Sequence, residues 1–190
     1  MSVSGTHVFE CAGKQVSAQQ HPDAFTFFDK FLTAYPVDRI IEIGTAAGGL
    51  AWWLRHRVSV PITTYDIVEH PLHADLRAAG VDVVRGSVFD DAHRAQIEAA
   101  LQAPGRVLLL CDGGNKVQEF NHFAAYLKPG DVIMAHDYSA NRTTYRGWSQ
   151  AKWPWWEIRW ADVAAACERA GLVVADAESE AALWLSMRKP

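Results

Sequence analysis

The chain of 190 residues has only three cysteines, Cys11, Cys111 and Cys167, and they are scattered. That is too few for a disulfide framework or a zinc site, and it fits a reducing compartment. No apolar run is long enough to span a bilayer, and residues 1–20 lack the basic segment and apolar core of a secretory signal. A formal charge of −4 provides no cationic excess to draw the chain to nucleic acid or to an anionic membrane. Internal repeats and low-complexity tracts are also absent. What these absences leave is a cytoplasmic protein of one domain spanning residues 1–190, whose 49% hydrophobic and 21% charged content suffices for a buried core.

What is present is organised around Arg39-Ile-Ile-Glu-Ile-Gly-Thr-Ala-Ala-Gly-Gly49. A short apolar run (Ile40, Ile41, Ile43) ends in an acid, Glu42, then a glycine-rich turn, then helix-prone Leu50-Ala-Trp-Trp-Leu-Arg. This is a buried strand handing over to a helix through a turn of little bulk. Such a turn lets a ligand approach the backbone and offers it the free N–H groups of a helix start. A dinucleotide site calls for G-x-G-x-x-G, and Ala46 interrupts that pattern; a plain structural junction is the third reading.

Along the chain, residues 1–20 read as a loose N-terminal arm or short cover. A helix follows from His21 to Pro36, marked by Phe25, Phe28, Phe31 and Leu32. Strands are expected at 39–44, 62–68, 81–85, 106–111 and 132–135, with helices between them and another at 161–170. Asp90 or Asp91 is placed to cap the helix over 92–103. The last two strands, 172–175 and 182–187, are joined by a link too short for a crossover helix and must pair antiparallel. The result is an α/β doubly wound, Rossmann-like, seven-stranded sheet, mostly parallel, with one antiparallel strand near the C-terminus.

Ligands of such sheets bind beyond the carboxyl ends of the strands. The residues there are Gly44, Thr45 and Gly48 in the first loop, Asp66 after the second strand, and Ser87, Val88 and Phe89 after the third. Asp112 follows the fourth strand, and His136 and Asp137 follow the fifth. Asp66, 22 residues after Gly44, is placed to accept both hydroxyls of a ribose, which serves NAD and S-adenosylmethionine alike. Asp112, His136 and Asp137 are oxygen and nitrogen donors at neighbouring strand ends, the arrangement of a divalent-cation site. A hydrogen-bonded structural role remains open for His136.

The glycine loop with Glu42 before it, the reversed last strand, and the order of strand-end acids resemble class I S-adenosylmethionine-dependent methyltransferases. Asp112-Gly113, Pro129-Gly130 and His136-Asp137 are similar to the metal-dependent small-molecule O-methyltransferases of the catechol, cephalosporin-biosynthesis and macrocin type. The resemblance implies S-adenosylmethionine held by Glu42, Gly44, Thr45, Gly48, Asp66, Ser87, Val88, Phe89 and Asp112. It also implies Mg²⁺ or another divalent cation held by Asp112, His136 and Asp137. His136 departs from the pattern, because relatives carry an acid there. Should no metal serve, His136 is the first candidate for general base and Lys116, four residues after Asp112, the second. Asp137 completes the catalytic set.

The stretch 138–160 reads as irregular and holds five of the eight tryptophans. It is placed either to close over a small-molecule acceptor or to form a homodimer contact. Arg142, Arg146 and Lys152 within it read as solvated surface charges. The competing functions are an NAD(P)-dependent oxidoreductase, which lacks a Tyr-x-x-x-Lys pair here, and a non-catalytic binding protein.

Overall fold

The structure is a computed structural model that describes residues 5–149 and 155–190, the side chains of 147–149 excepted. Its centre is a sheet of β3 (Arg39–Ile43), β4 (Ile62–Asp66), β5 (Asp82–Arg85), β6 (Val107–Cys111), β7 (Val132–His136), β8 (Val173–Val174) and β9 (Trp184–Arg188). The spatial order is β5-β4-β3-β6-β7-β9-β8. The first five strands of that order pair in parallel, and β9 runs against both β7 and β8. The expected doubly wound sheet with one reversed strand is therefore present.

Each strand's two-residue period divides its side chains between two cores. On one face Ile41, Ile43, Val107, Leu109 and Cys111 pack against α4 (Asp91–Gln102), α5 (Lys116–Phe123) and α7 (Trp160–Ala170). On the other, Ile40, Leu108, Leu110, Val132 and Met134 meet α1 (Asp23–Ala34), α2 (Gly49–Arg55) and α3 (Leu72–Ala78). Phe28 and Trp184, both fully buried, meet edge-on with centroids 5.3 Å apart. Burial of an aromatic side chain of this kind stabilises by about 1.5–3 kcal/mol. Among the described residues no helix is long and apolar enough to cross a membrane.

Two local readings are corrected and a third, the cap, is met in position only. Residues His7–Cys11 and Lys14–Ala18 form an antiparallel hairpin, β1-β2, where a loose arm was expected. Its turn residues Ala12 and Gly13 both have positive φ, 51° and 73°, the twist a two-residue hairpin loop demands. The stretch after β7 is helical over Arg142–Ser149, α6. Asp90 occupies the N-cap position of α4 in extended conformation, but its side chain makes no capping bond. Its carboxylate lies instead 3.8 Å from His93 Nδ1.

The hairpin is tied to the rest through glycine. A Cβ on Gly49, the first residue of α2, would lie 2.2 Å from the Ser17 carbonyl oxygen, which is backbone and cannot swing aside. Gly49→Ala is therefore expected to push β2 off α2 and cost about 2 kcal/mol. Urea unfolding would show the loss, and hydrogen exchange would show protection falling in His7–Ala18 first.

Candidate active site

β3 and β6 lie side by side at the centre, and the connections leaving them diverge to opposite faces, opening a crevice at the strand ends. A cavity of about 600 Å³ occupies it. All the residues singled out in the sequence line this one cavity: Glu42, Gly44, Thr45, Gly48, Asp66, Ser87, Val88, Phe89, Asp112, Lys116, His136 and Asp137.

The glycine turn is shaped by its backbone. Gly44 has φ 92°, and a Cβ there would lie 2.2 Å from the Asp112 carbonyl oxygen, so glycine is what lets the ends of β3 and β6 close together. Gly48 (φ 85°) and Ala46 (φ 46°) are also left-handed. Ala46 is held there by its N–H, which donates to Asp66 Oδ2 at 2.7 Å. The other carboxylate oxygen of Asp66 accepts the Val68 N–H at 2.8 Å. Asp66 thus fixes the loop, and two further lone pairs remain on a carboxylate bonded this way.

Beneath the loop lies Glu42, 1% exposed, bonded to the Thr64 hydroxyl, which in turn meets Thr45 Oγ1 at 2.6 Å. Burial pushes the Glu42 carboxyl up to about 8; the Thr64 bond opposes this, and Asp112 and Asp66 add to it. A cation arriving in the cavity would favour its ionised form. Beside it, Ser87 Oγ accepts the Phe89 N–H at 3.2 Å and shapes the wall after β5.

At the other end of the cavity stands a charged cluster. Asp112 Oδ2 accepts from the Gln20 amide at 2.6 Å, and Oδ1 lies 2.9 Å from His136 Nδ1. The imidazole stacks on Trp184, with centroids 4.8 Å apart. Burial lowers the pKa of His136, but Asp112 and Asp137 outweigh it and raise it above the ordinary range. Asp137 adopts φ 57°, a left-handed conformation that a short polar side chain tolerates. Its carbonyl accepts the N–H groups of Glu157 and Ile158, which anchors the returning chain over the site.

Lys116, at the start of α5, reaches into this cluster and is 7% exposed. Its ammonium lies 3.0 Å from Asp137, 2.8 Å from Glu157 and 3.7 Å from Asp112, and donates to the Gly113 carbonyl at 3.1 Å. Burial opposes its charge, yet the three carboxylates hold its pKa well above the usual lysine range. An ammonium held so does not give up its proton near neutral pH.

The three expected metal ligands do gather, with ligand atoms within 4.8 Å of one another. Their arrangement does not suit a divalent cation. Both oxygens of Asp112 and both of Asp137 already have protein partners, and Mg²⁺ prefers oxygen to the imidazole nitrogen offered by His136. An ammonium within 4 Å of two of the three donors would also repel the ion. Even at an effective dielectric of 20, like charges at 4 Å cost about 4 kcal/mol per pair of unit charges.

Sequence reasoning missed Gln20, Thr64 and Glu157. Glu157 was detectable as the only acid of the aromatic stretch 138–160, whereas Gln20 carries no local signal. Of that stretch, Trp155 lines the cavity, Trp156 stacks on Tyr145 and Trp160 is exposed. Arg142 and Arg146 are exposed, as expected of surface charges. Lys152, Trp153 and the side chain of Trp148 lie outside the described residues.

No family model and no curated protein sequence matches the chain. Solved structures do. A structure of CmcI with Mg and SAM aligns with TM-score 0.61 at 15% identity, over 96% of this chain and 76% of that one. The N-terminal domain of EvdMO1 in the presence of SAH and D-fucose aligns with TM-score 0.58 at 20% identity, over 97% and 91%. A Burkholderia thailandensis 1,6-didemethyltoxoflavin-N1-methyltransferase with bound 1,6-didemethyltoxoflavin and S-adenosylhomocysteine gives TM-score 0.51 at 19%, over 88% and 77%. At these identities the likeness is one of fold, and the fold is that of class I S-adenosylmethionine-dependent methyltransferases.

The buried Glu42 makes stability depend on pH. Unfolded, it releases its proton near 4.5; folded, it keeps it to about 8. Between these values the folded chain binds more protons, so stability falls as pH rises. Glu42→Gln is expected to flatten that fall by a few kcal/mol (order of magnitude, from the size of the shift). Urea midpoints of both proteins at pH 5 and pH 8.5 measure it.

Proposed function

We propose that this chain is an S-adenosylmethionine-dependent methyltransferase that methylates an oxygen of a small hydroxylated molecule. The observation that carries the reading is that the glycine loop, the Asp66 carboxylate bonded to it and the hydrogen-bonded His136–Asp112 pair line one cavity at the strand ends. An oxidoreductase on a dinucleotide fold is less favoured, because β9 is reversed and Ala46 interrupts the required glycine pattern. The expected locale is the cytoplasm, and the expected partners are the small-molecule acceptor and, through the aromatic stretch, a second copy of the chain.

In this reading the lone pair of the acceptor oxygen attacks the sulfonium methyl carbon. The carbon–sulfur bond breaks with its electron pair going to sulfur, leaving S-adenosylhomocysteine. The hydroxyl proton passes to the His136 imidazole, which Asp112 orients and whose positive charge it stabilises. Asp66 receives the ribose hydroxyls while holding the loop, and Glu42 sets a carboxylate beneath the cationic donor. Trp155 and the chain around Glu157 cover the acceptor and exclude water. Much of the acceleration in such a transfer comes from holding two reactants in line.

Methyl transfer from methyl-labelled S-adenosylmethionine to a panel of small hydroxylated acceptors tests this, with S-adenosylhomocysteine quantified as the second product. His136→Ala is expected to lower the rate by roughly 10²–10⁴-fold. Because the pKa of His136 is raised, the wild-type rate climbs with pH above the ordinary histidine range, and Asp112→Asn moves that climb to lower pH. Asp66→Ala removes charge-assisted acceptors and is expected to weaken S-adenosylmethionine binding by roughly 10–100-fold. Unchanged affinity in that variant would remove Asp66 from the donor site.

A further inference from the structure

We propose that the Lys116 ammonium takes the place of a divalent cation at the acceptor site, so that this cluster fixes the acceptor oxygen without metal. The inference rests on the methyltransferase reading and names how that site holds its second substrate.

An ammonium has three N–H bonds, and three partners stand within bonding distance: the Gly113 carbonyl at 3.1 Å, Asp137 at 3.0 Å and Glu157 at 2.8 Å. The first two belong to the strand-end loops that build the cavity. Asp137 is nearly buried, its side chain 6% exposed. Glu157 differs, because its side chain is 43% exposed and comes from the chain that returns after the aromatic stretch. It is the partner that solvent or a ligand reaches. An acceptor oxygen entering beside Trp155 takes the position of the Glu157 carboxylate and receives the third N–H. As the proton leaves for His136, the growing negative charge on that oxygen faces a fixed positive charge already desolvated and oriented, which needs no reorganisation during the reaction.

A metal would do the same work by polarising the oxygen and fixing its place. Here the cation is covalently attached. Removing it leaves Asp112, His136 and Asp137 gathered within 4.8 Å and without their compensating charge, which is a site a soft-tolerant divalent ion can fill.

The experiment is a titration of the 190-residue chain with Mn²⁺, read by electron paramagnetic resonance, for wild type, Lys116→Ala, Lys116→Arg and Lys116→Ala/Asp137→Asn. Wild type and Lys116→Arg are expected to bind Mn²⁺ more than about tenfold more weakly than Lys116→Ala, given the repulsion between ammonium and ion. The added Asp137→Asn change is expected to abolish the gain. Methyl transfer by wild type in EDTA is expected to stay within about twofold of its rate without chelator. Tight Mn²⁺ binding by wild type, or no gain in a folded Lys116→Ala protein, overturns the proposal. Binding of labelled S-adenosylmethionine, measured by equilibrium dialysis on the same wild-type sample, separates the two claims. Its absence would sink the methyltransferase reading whatever the Mn²⁺ result.

Discussion

Closure of β3 onto β6 depends on Gly44 having no side chain. The Asp112 N–H donates to the Ile43 carbonyl at 2.8 Å, and the Asp112 carbonyl lies where a Cβ on residue 44 would have to go. With that contact made, the glycine loop and the acidic end of β6 face each other across one crevice. Residues distant in sequence, such as Asp66, His136 and Lys116, then need only stand at the ends of their own strands and helices to meet. The parallel sheet supplies the register, and its two apolar faces supply the driving force for keeping it.

The charged end of the cavity follows from a balance of opposing terms. Burying carboxylates and an ammonium costs several kcal/mol per ion, and only close pairing offsets it. Lys116 achieves this by meeting three carboxylates and a carbonyl, and Asp112 by accepting from Gln20 and standing against His136. Gln20 is itself held by the indole of Trp184, which donates to its Oε1 at 3.0 Å. The hairpin at the N-terminus, the last strand and the central acids are thus linked through one amide. This dense pairing is also why the same residues that resemble a metal site are poorly arranged to take a metal.

Much of this was legible in the chain because parallel strands are short, apolar and followed by glycine or acid, and their carboxyl ends carry the ligands. The strand positions and the reversed last strand came from that rule, whereas the site residues came from it together with the resemblance to methyltransferases. The hairpin was not legible, because β1 alternates only loosely and its turn carries Ala12 where Asn or Asp would have announced it. The sequence offered Lys116 only as a second candidate base, because its bond to Glu157 joins residues 41 positions apart. Asp90 has the right residue type and position for a cap, yet its carboxylate turns toward His93. Pattern fixes where a residue stands; the packing of other segments decides what it touches.

The most direct measurement of the central claim is calorimetric titration of the purified chain with S-adenosylhomocysteine and, separately, with NAD. The account predicts one S-adenosylhomocysteine bound per chain and no heat from NAD. Saturable binding of NAD with none of S-adenosylhomocysteine would contradict it and return the cavity to the dinucleotide enzymes.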